Sequence, residues 1–321
     1  MKKIAVFTSG GDAPGMNACV RAVVRTATFH GLEAVGIMRG FQGMIEGDFR
    51  NFQSRDMSNI IQRGGTILKS SRSKDFRTAE GRKKAFENLQ SEGIEGVVAI
   101  GGDGTFTGAK VFGDEFDIPF VGVPGTIDND IFGTDFTLGF DTAVNTALDA
   151  IDKIRDTADS HHRAFFVEVM GRNSGYIALQ TGISGGAEMV IVPDTDPQEV
   201  VKSLTAALAR GKTSMIIVVA EGDTEGRAKR FVEAIKPHLP TFDLRITILG
   251  HIQRGGSPTA NDRLLGSRLG IAAVEALMSG KRNIMVGTLN GEVSEVPFSD
   301  AISKAKPLRK ELLNAVPVLS I

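Results

Sequence analysis

Cysteine is almost absent from this chain of 321 residues. Cys19 stands alone, which excludes an internal disulfide framework. It sits in an apolar helical pattern, where a packing residue belongs. An excess of one charge is also missing. A formal net charge of −1 gives no reason to expect nucleic acid or an anionic membrane as the main partner. No stretch approaches the roughly 20 apolar residues of a membrane span. The opening "MKKIAVFTSGGD" runs from charge straight into a short strand-like segment. That segment is too short for a signal h-region and has no cleavage site. The expectation is a soluble, cytoplasmic protein with no membrane or nucleic-acid partner. There is no low-complexity linker. His161 and His162 fall in a polar loop without metal-ligand spacing and read as surface residues.

What the chain does have is glycine, 38 residues of it, clustered at the ends of apolar runs. Backbone-level ligand binding requires that placement. Hydrophobic residues make up 41%, enough for a sizeable core. Strand patterns fall at 4–8, 34–38, 96–100, 118–123, 164–169, 189–192, 214–220, 245–249 and 284–288. Helical patterns fall at 16–30, 79–92, 104–113, 139–157, 174–183, 197–210, 226–238, 260–279 and 307–314. This alternation predicts an α/β protein of βαβ units, with mostly parallel sheets flanked by helices. Such sheets bind ligands outside the carboxyl ends of their strands, which is where the glycines and acids fall. Breaks near 139 and 250 predict two lobes, with the chain crossing between them more than once. A near-repeat, "IQRGGT" at 61–66 and "IQRGGS" at 252–257, reads either as two anion-binding loops or as shared turn chemistry.

Several stretches carry chemistry. "TSGGDAPGMN" (8–17) ends a strand in two glycines and opens a helix. Its N–H groups make an anion site, or the turn is a plain one with Pro14 and Gly15 as helix-start residues. "AIGGDGT" (99–105) repeats the arrangement with an acid. Asp103 is placed to hold Mg²⁺ directly or through water, and Gly104 leaves no side chain where a terminal phosphate would lie. The stretch is neither a Walker A loop nor GxGxxG. "VPGTIDND" (123–130) puts two acids at the mouth of a strand. Asp128 suits a base for a hydroxyl attacking phosphorus, Thr126 a hydrogen bond to that hydroxyl, and Asp130 support for the metal or the loop. A capping acid on a turn is the plainer reading.

Arg72, Arg163, Arg172, Arg245 and Arg254 stand at strand ends or in glycine loops. Guanidinium forks suit phosphate, and five together point to a doubly phosphorylated reaction centre. Any one alone reads as a surface salt bridge. His251, in "LGHIQRGGSP", suits a sugar hydroxyl or a phosphate. "GISGGAEM" (182–189), with Arg21, Arg25 and Arg155, reads as a second phosphate site or as a solvated basic face. Arg21 and Arg25, four apart, share one helix face.

Together these stretches resemble the bacterial 6-phosphofructokinase family. The resemblance covers nearly the whole chain in order: "TSGGDAPGMN", "RGGT", "GGDGT", "PGTIDND", "EVMGR", "AEG" and "LGHIQRGGSP". Lipid and NAD kinases share only the GGDG-type loop. The resemblance implies a Rossmann-like, two-lobed phosphofructokinase fold. A nucleotide-binding lobe would span 1–138 plus about 251–301, and a sugar phosphate-binding lobe 139–250 plus about 302–321. It implies transfer of the γ-phosphoryl of MgATP to the 1-hydroxyl of fructose 6-phosphate in glycolysis. By resemblance Asp128 is the base, Thr126 the residue beside it, and Arg172 the cation on the transferring phosphoryl. Gly11, Arg72, Ser73, Gly102, Asp103, Gly104 and Thr105 match the nucleotide site, with Asp103 the Mg²⁺ ligand. Thr126, Ile127, Asp128, Met170, Gly171, Arg172, Glu221, His251, Ile252, Gln253 and Arg254 match the sugar phosphate site. Arg163 and Arg245 match arginines that reach the 6-phosphate of a neighbouring subunit, so the family's homotetramer shares its active sites.

Pyrophosphate-using relatives carry aspartate at Gly104 and lysine at Gly125. Glycine at both favours ATP over pyrophosphate as donor. Met170, Glu221 and His251 weigh against a kinase for a related ketose phosphate such as tagatose 6-phosphate, and the presence of Asp128 and Asp103 weighs against an inactive sugar phosphate sensor. Ser73 stands where a relative often has an aromatic residue near the adenine, with Lys69 close by. The effector site, for ADP or phosphoenolpyruvate, keeps Arg21, Arg25, Arg155, Gly186, Ala187, Glu188 and Lys212. Ser54, Arg210, Thr213 and Ser214 replace other family residues there. A weakened or altered allosteric response is the expectation.

Overall fold

The computed structural model describes residues 1–161, 163–222, 226–239 and 243–320. His162, read above as a surface residue, lies outside the described residues. In chain order the first elements are β1 (Lys3–Thr8), α1 (Met16–Phe29), β2 (Glu33–Ile37), α2 (Gly40–Glu46), β3 (Phe49–Phe52), α3 (Ala79–Ser91), β4 (Gly96–Gly101), α4 (Asp103–Glu115), β5 (Phe120–Pro124) and α5 (Phe140–His161). They are followed by β6 (Arg163–Val169), α6 (Tyr176–Ser184), β7 (Met189–Ile191), α7 (Pro197–Ala209), β8 (Met215–Ala220), α8 (Arg227–Ile235), β9 (Asp243–Ile248), α9 (Ala260–Met278), β10 (Ile284–Leu289), β11 (Glu292–Pro297), α10 (Phe298–Ser303) and α11 (Lys310–Leu319). No described helix is long and apolar enough to cross a membrane.

The chain divides into two compact units, Met1–Thr142 with Arg254–Lys306 and Ala143–Gln253 with Pro307–Ile321. His251, Ile252 and Gln253 therefore belong to the second unit, and Arg254 to the first. The first unit is built on a seven-stranded sheet in the order β11-β10-β5-β4-β1-β2-β3. Its inner pairings are parallel, and its two outermost strands run antiparallel to their neighbours. β1 and β4 are apolar and almost wholly buried, which is the signature of parallel strands covered on both faces. Phe7, Phe106, Phe112 and Phe120 are fully buried in this core. Each contributes about 1.5–3 kcal/mol relative to exposure. Phe41 and Phe76 stack at 4.0 Å between centroids and extend the cluster.

The second unit carries a parallel four-stranded sheet, β7-β8-β6-β9. Its core joins Phe166, Ile217 and Val219 to Val200, Leu204 and Ile235 on the helices. β9 forms one edge and is largely exposed, with Ile248 at 50%.

Every strand and helix read from the sequence is present within a few residues. α8 stops early, with Lys236–His238 as a tighter turn, because Pro237 has no N–H to continue the ladder. The elements not anticipated are α2, β3, β11 and α10, all short or at a sheet edge. The β10–β11 hairpin turns through Asn290 and Gly291, both at positive φ, the pairing favoured by two-residue hairpins.

α1 and α9 cross closely through small residues. A Cβ at Gly270 would stand 2.6 Å from Ala22 Cβ, and one at Gly266 2.8 Å from the Gly15 carbonyl. Cys19 is fully buried at this crossing, and burial pushes its thiol up, as befits a packing residue. α9 starts at Thr259, whose hydroxyl accepts from the Asp262 N–H at 3.3 Å.

The Asp262 side chain is 1% exposed and turns away from α9 to the start of α5. Burial pushes its carboxyl up to about 6, helped by nearby Asp141 and opposed by hydrogen bonds from Thr142 and Gly139. The folded value lies above the ordinary 3.8, so the fold retains a proton that the unfolded chain releases. The favourable contribution is complete below 3.8 and is lost as the pH rises through about 6. Melting wild type and Asp262→Asn side by side should therefore show wild type losing ground steadily from about pH 4 to pH 7. A difference that stays flat over that range would mean that the carboxyl titrates normally.

Candidate active site

The parallel ladder sets three loops side by side. Thr8 is in register with Ile100, and Gly101 with Pro124, so β1, β4 and β5 end together. The ladder runs one step beyond the strands, through Ser9 N–H to the Ile100 carbonyl at 3.0 Å and Gly125 N–H to the Gly101 carbonyl at 2.9 Å. Gly11, the Gly102–Thr105 turn and the Gly125–Asp128 segment therefore follow neighbouring strand ends. α4 begins at Asp103 with Gly102 as its N-cap, so the N–H groups of a helix start and its positive end face that edge. Thr105 is buried, with its hydroxyl near the Gly101 and Gly10 backbone.

A Cβ at Gly104 would meet nothing within 4 Å, which leaves open space where the sequence asked for it. Gly125 is more enclosed. A Cβ there would stand 2.9 Å from Met16 Cε and 3.2 Å from Ile100 Cγ2, so the start of α1 closes it in.

The loop after β5 is tied to itself. Leu138 N–H bonds the Pro124 carbonyl at 2.9 Å, and the Thr137 hydroxyl bonds the Thr126 carbonyl at 2.6 Å. Asn129, in the left-handed region at φ 52°, accepts from the Thr137 N–H at 3.0 Å and from Lys306 Nζ at 2.9 Å. These bonds hold the turn that carries Thr126 and Asp128. The Thr126 hydroxyl accepts from the Asp128 N–H at 3.2 Å, and Asp128 is 3% exposed. Ile127, expected at the substrate, is 1% exposed with its side chain in the core.

Arg254 lies along the β1–α1 turn, its Nη1 3.5 Å from the Asp12 carbonyl and over the Cα of Gly11. The two near-repeats meet here. A Cβ at Gly64 would stand 2.2 Å from the Gly256 carbonyl, and the Ser257 hydroxyl bonds the Gln62 carbonyl at 2.7 Å. Arg72 is exposed. Ser73 donates to Gln42 at 2.8 Å and accepts from the Phe76 N–H at 3.2 Å, so it braces the loop beneath the Phe41–Phe76 stack.

In the second unit, β6 ends at Val169 and the chain turns through Met170, Gly171 and Arg172. Arg172 has φ 48°, a conformation that costs a non-glycine residue roughly 1 kcal/mol or more. It is held by its N–H to Glu221 Oε1 at 3.0 Å and by its carbonyl, which accepts from Gly222 at 3.2 Å. Gln253 is fully buried. Its side chain accepts from the Met170 N–H at 3.3 Å and donates to the Gly250 carbonyl at 3.1 Å, so it supports the Met170 turn. His251 and Ile252 are exposed. Arg163 and Arg245 share one carboxylate: Asp243 Oδ2 lies 2.9 Å from Arg163 Nε and 2.9 Å from Arg245 Nη2. The bond from Arg245, then that from Arg163, holds the Asp243 carboxyl below its usual range.

Five of the expected effector residues also lie in this unit. Arg155 donates to the Gly185 and Gly186 carbonyls, next to buried Ala187. Glu188 accepts from the Ile216 N–H at 2.6 Å and from Lys212 Nζ at 3.2 Å. Arg210 is turned to the Ser320 carbonyl at 3.2 Å, and Ser214 to Asp159 at 3.0 Å. Arg21 and Arg25 lie in the first unit on α1, where burial and then the Arg25 charge lower the Arg21 guanidinium.

Sequence reasoning missed Asn129, Lys306, Asp243 and Asp262, which position others. Only Asn129, inside "IDND", carried a local signal, since asparagine tolerates the left-handed region. Among the described residues no group of three or more His, Cys, Asp or Glu is arranged to hold a metal. Asp103 at the helix start fits a cation that takes one carboxylate and completes its shell with phosphate oxygens and water, as Mg²⁺ does.

A model of the phosphofructokinase family matches residues 3–277. A relative from Cytophaga hutchinsonii named ATP-dependent 6-phosphofructokinase is 58% identical over 322 residues, covering 100% of this chain and 98% of its own. One from Thermus thermophilus named ATP-dependent 6-phosphofructokinase 1 is 58% identical and is covered over 100% of both chains. The solved phosphofructokinase from Saccharomyces cerevisiae aligns with 100% of this chain at TM-score 0.89 and 34% identity, and this chain spans 47% of that longer one. A pyrophosphate-dependent phosphofructokinase from Marinobacter aquaeolei aligns with 97% of this chain and 86% of its own at TM-score 0.84 and 22% identity, a likeness of fold alone. With the glycine turns and the acid loop in their places on the sheet edge, the chain belongs to the phosphofructokinase family.

Proposed function

We infer that the chain transfers the γ-phosphoryl group of MgATP to the 1-hydroxyl of D-fructose 6-phosphate, giving fructose 1,6-bisphosphate and ADP, a glycolytic phosphotransfer. The observation that carries this reading is the common edge of β1, β4 and β5. It sets two glycine turns suited to a polyphosphate beside a loop whose buried acid suits a hydroxyl. The names of the two full-length relatives at 58% identity support the same donor and acceptor.

In the proposed reaction Asp128 takes the proton of the attacking hydroxyl while the new oxygen–phosphorus bond forms and the bond to the leaving ADP oxygen breaks. Thr126 orients that hydroxyl. Arg172 carries positive charge to the transferring phosphoryl group, its backbone fixed in advance by Glu221 and Gly222. Gly11, Arg72 and the Gly102–Thr105 turn bind the nucleotide, and Asp103 would hold Mg²⁺, which supplies charge neutralisation on the phosphates. Met170, Gly171, Glu221, His251 and Arg254 bind the sugar phosphate. Space at Gly104 supports ATP as donor. The exposed β9 edge, with Ile246 and Ile248 beside the Arg163–Asp243–Arg245 group, supports a homotetramer in which those arginines serve a neighbouring subunit. The altered surroundings of Arg155, Glu188 and Lys212 support a changed response to ADP or phosphoenolpyruvate.

A coupled assay with fructose 6-phosphate and Mg²⁺ tests the reading, run with ATP and with pyrophosphate, and with ADP titrated into the working reaction. Turnover with ATP alone is expected; turnover with pyrophosphate alone refutes the donor. Asp128→Ser should lower kcat by roughly 100- to 10,000-fold while fructose 6-phosphate still binds. A variant with near-normal turnover would remove Asp128 from the mechanism. Arg245→Ala should raise the KM for the sugar phosphate by roughly ten- to hundred-fold, the worth of one bond to a charged group, with kcat little changed. A collapse of kcat at constant KM would overturn that assignment.

A further inference from the structure

The geometry points to Asp262 as a positioning residue for phosphoryl transfer, acting on the loop that carries Thr126 and Asp128. It rests on the roles proposed for those two residues. Asp262 lies in the first turn of α9, yet its carboxylate serves the first turn of α5, some 120 residues earlier. Oδ1 accepts from the Gly139 N–H at 2.8 Å. Oδ2 accepts from the Thr142 N–H at 2.8 Å and from the Thr142 hydroxyl at 2.5 Å. The two N–H groups are among those a helix start leaves without partners of its own.

From this anchor the route to the reacting groups is short. Gly139 has φ 94°, and a Cβ on it would stand 2.7 Å from Ala13 Cβ, 3.1 Å from Pro14 Cδ and 3.1 Å from Ile127 Cγ2. The residue that Asp262 grips therefore packs on the side chain between Thr126 and Asp128. One residue earlier, Leu138 bonds Pro124, and one before that, Thr137 bonds the Thr126 carbonyl. The β1–α1 turn meets the same point, since a Cβ at Gly15 would stand 3.1 Å from the Asp262 carbonyl. A carboxylate is the side chain that accepts from all three donors at once. Asparagine would turn an NH₂ toward one of them. The fold keeps this group in spite of burial that disfavours its charge, with Asp141 close by. That trade of stability for a fixed geometry is what a reacting loop requires.

The test is a double-mutant cycle of Asp262→Asn with Asp128→Ser, joined to amide exchange on the intact enzyme. Asp262→Asn should stay folded, exchange the amides of 126–139 about tenfold faster, and leave the later turns of α9 unchanged. Its kcat should fall roughly ten- to hundred-fold with both KM values nearly constant. On the Asp128→Ser background the same change should have almost no further effect, because the group it positions is gone. A purely structural role predicts equal losses on both backgrounds and would overturn the inference. So would unchanged exchange in 126–139, whatever the activity. Failure of the underlying reading shows itself separately, as near-normal turnover by Asp128→Ser alone; the exchange data then decide whether Asp262 holds the loop. Should Asp262→Asn not fold, Thr142→Val, which removes the hydroxyl donor, should lower kcat, and Thr142→Ser should restore it. Equal kcat in those two variants would count against the inference.

Discussion

Everything at the proposed reaction edge depends on the parallel register of three strands. Thr8 sits beside Ile100 and Ile100 beside Val123, so the ends of β1, β4 and β5 lie level to within a residue. The chain must leave the sheet there in three adjacent turns. Buried parallel strands cannot slip by one residue without turning their core faces over, so the loops inherit the rigidity of the ladder. Small residues then let those turns approach one another and a polyanion, and the first turn of α4 contributes its N–H groups at the same place.

Rigid strand ends do not by themselves fix the side chains beyond them, and the fold uses buried polar groups for that. Asn129 and Lys306 close the loop after β5 on one side, and Asp262 closes it on the other. In the second unit Glu221 and Gly222 hold the backbone of Arg172 in a left-handed conformation, and Gln253 supports the Met170 turn. Each is a polar side chain or backbone group satisfied by a neighbour's main chain. In a low-dielectric setting such bonds are stronger than in water and expensive to leave unmade.

Much of this was legible in the sequence, and the reason differs from place to place. The strands and long helices are written in local periodicity, which is why β1, β4, β8 and α9 fall where the pattern puts them. β3 and β11 were not legible because edge strands bury little and show no strong alternation. The acids and glycines of the site could be named because their types are unusual at strand ends. Their supports could not, since Asp262 reads as an ordinary helix-start acid until Gly139 and Thr142 are brought to it. The space at Gly125 depends on Met16, and the meeting of Gly64 with Gly256 on a chain reversal that no local window contains.

The first unit is discontinuous, and this orders events during synthesis. α1 needs α9 to cover it, and β5 needs β10 as its neighbour, but both partners follow the inserted segment Ala143–Gln253 of the second unit. At the usual pace of translation, on the order of ten seconds separate the emergence of the two halves. During that interval the apolar face of α1 and the open side of β5 have no native cover, while the second unit's strands are already complete. The nascent chain therefore carries an open β5 edge for the whole of that interval.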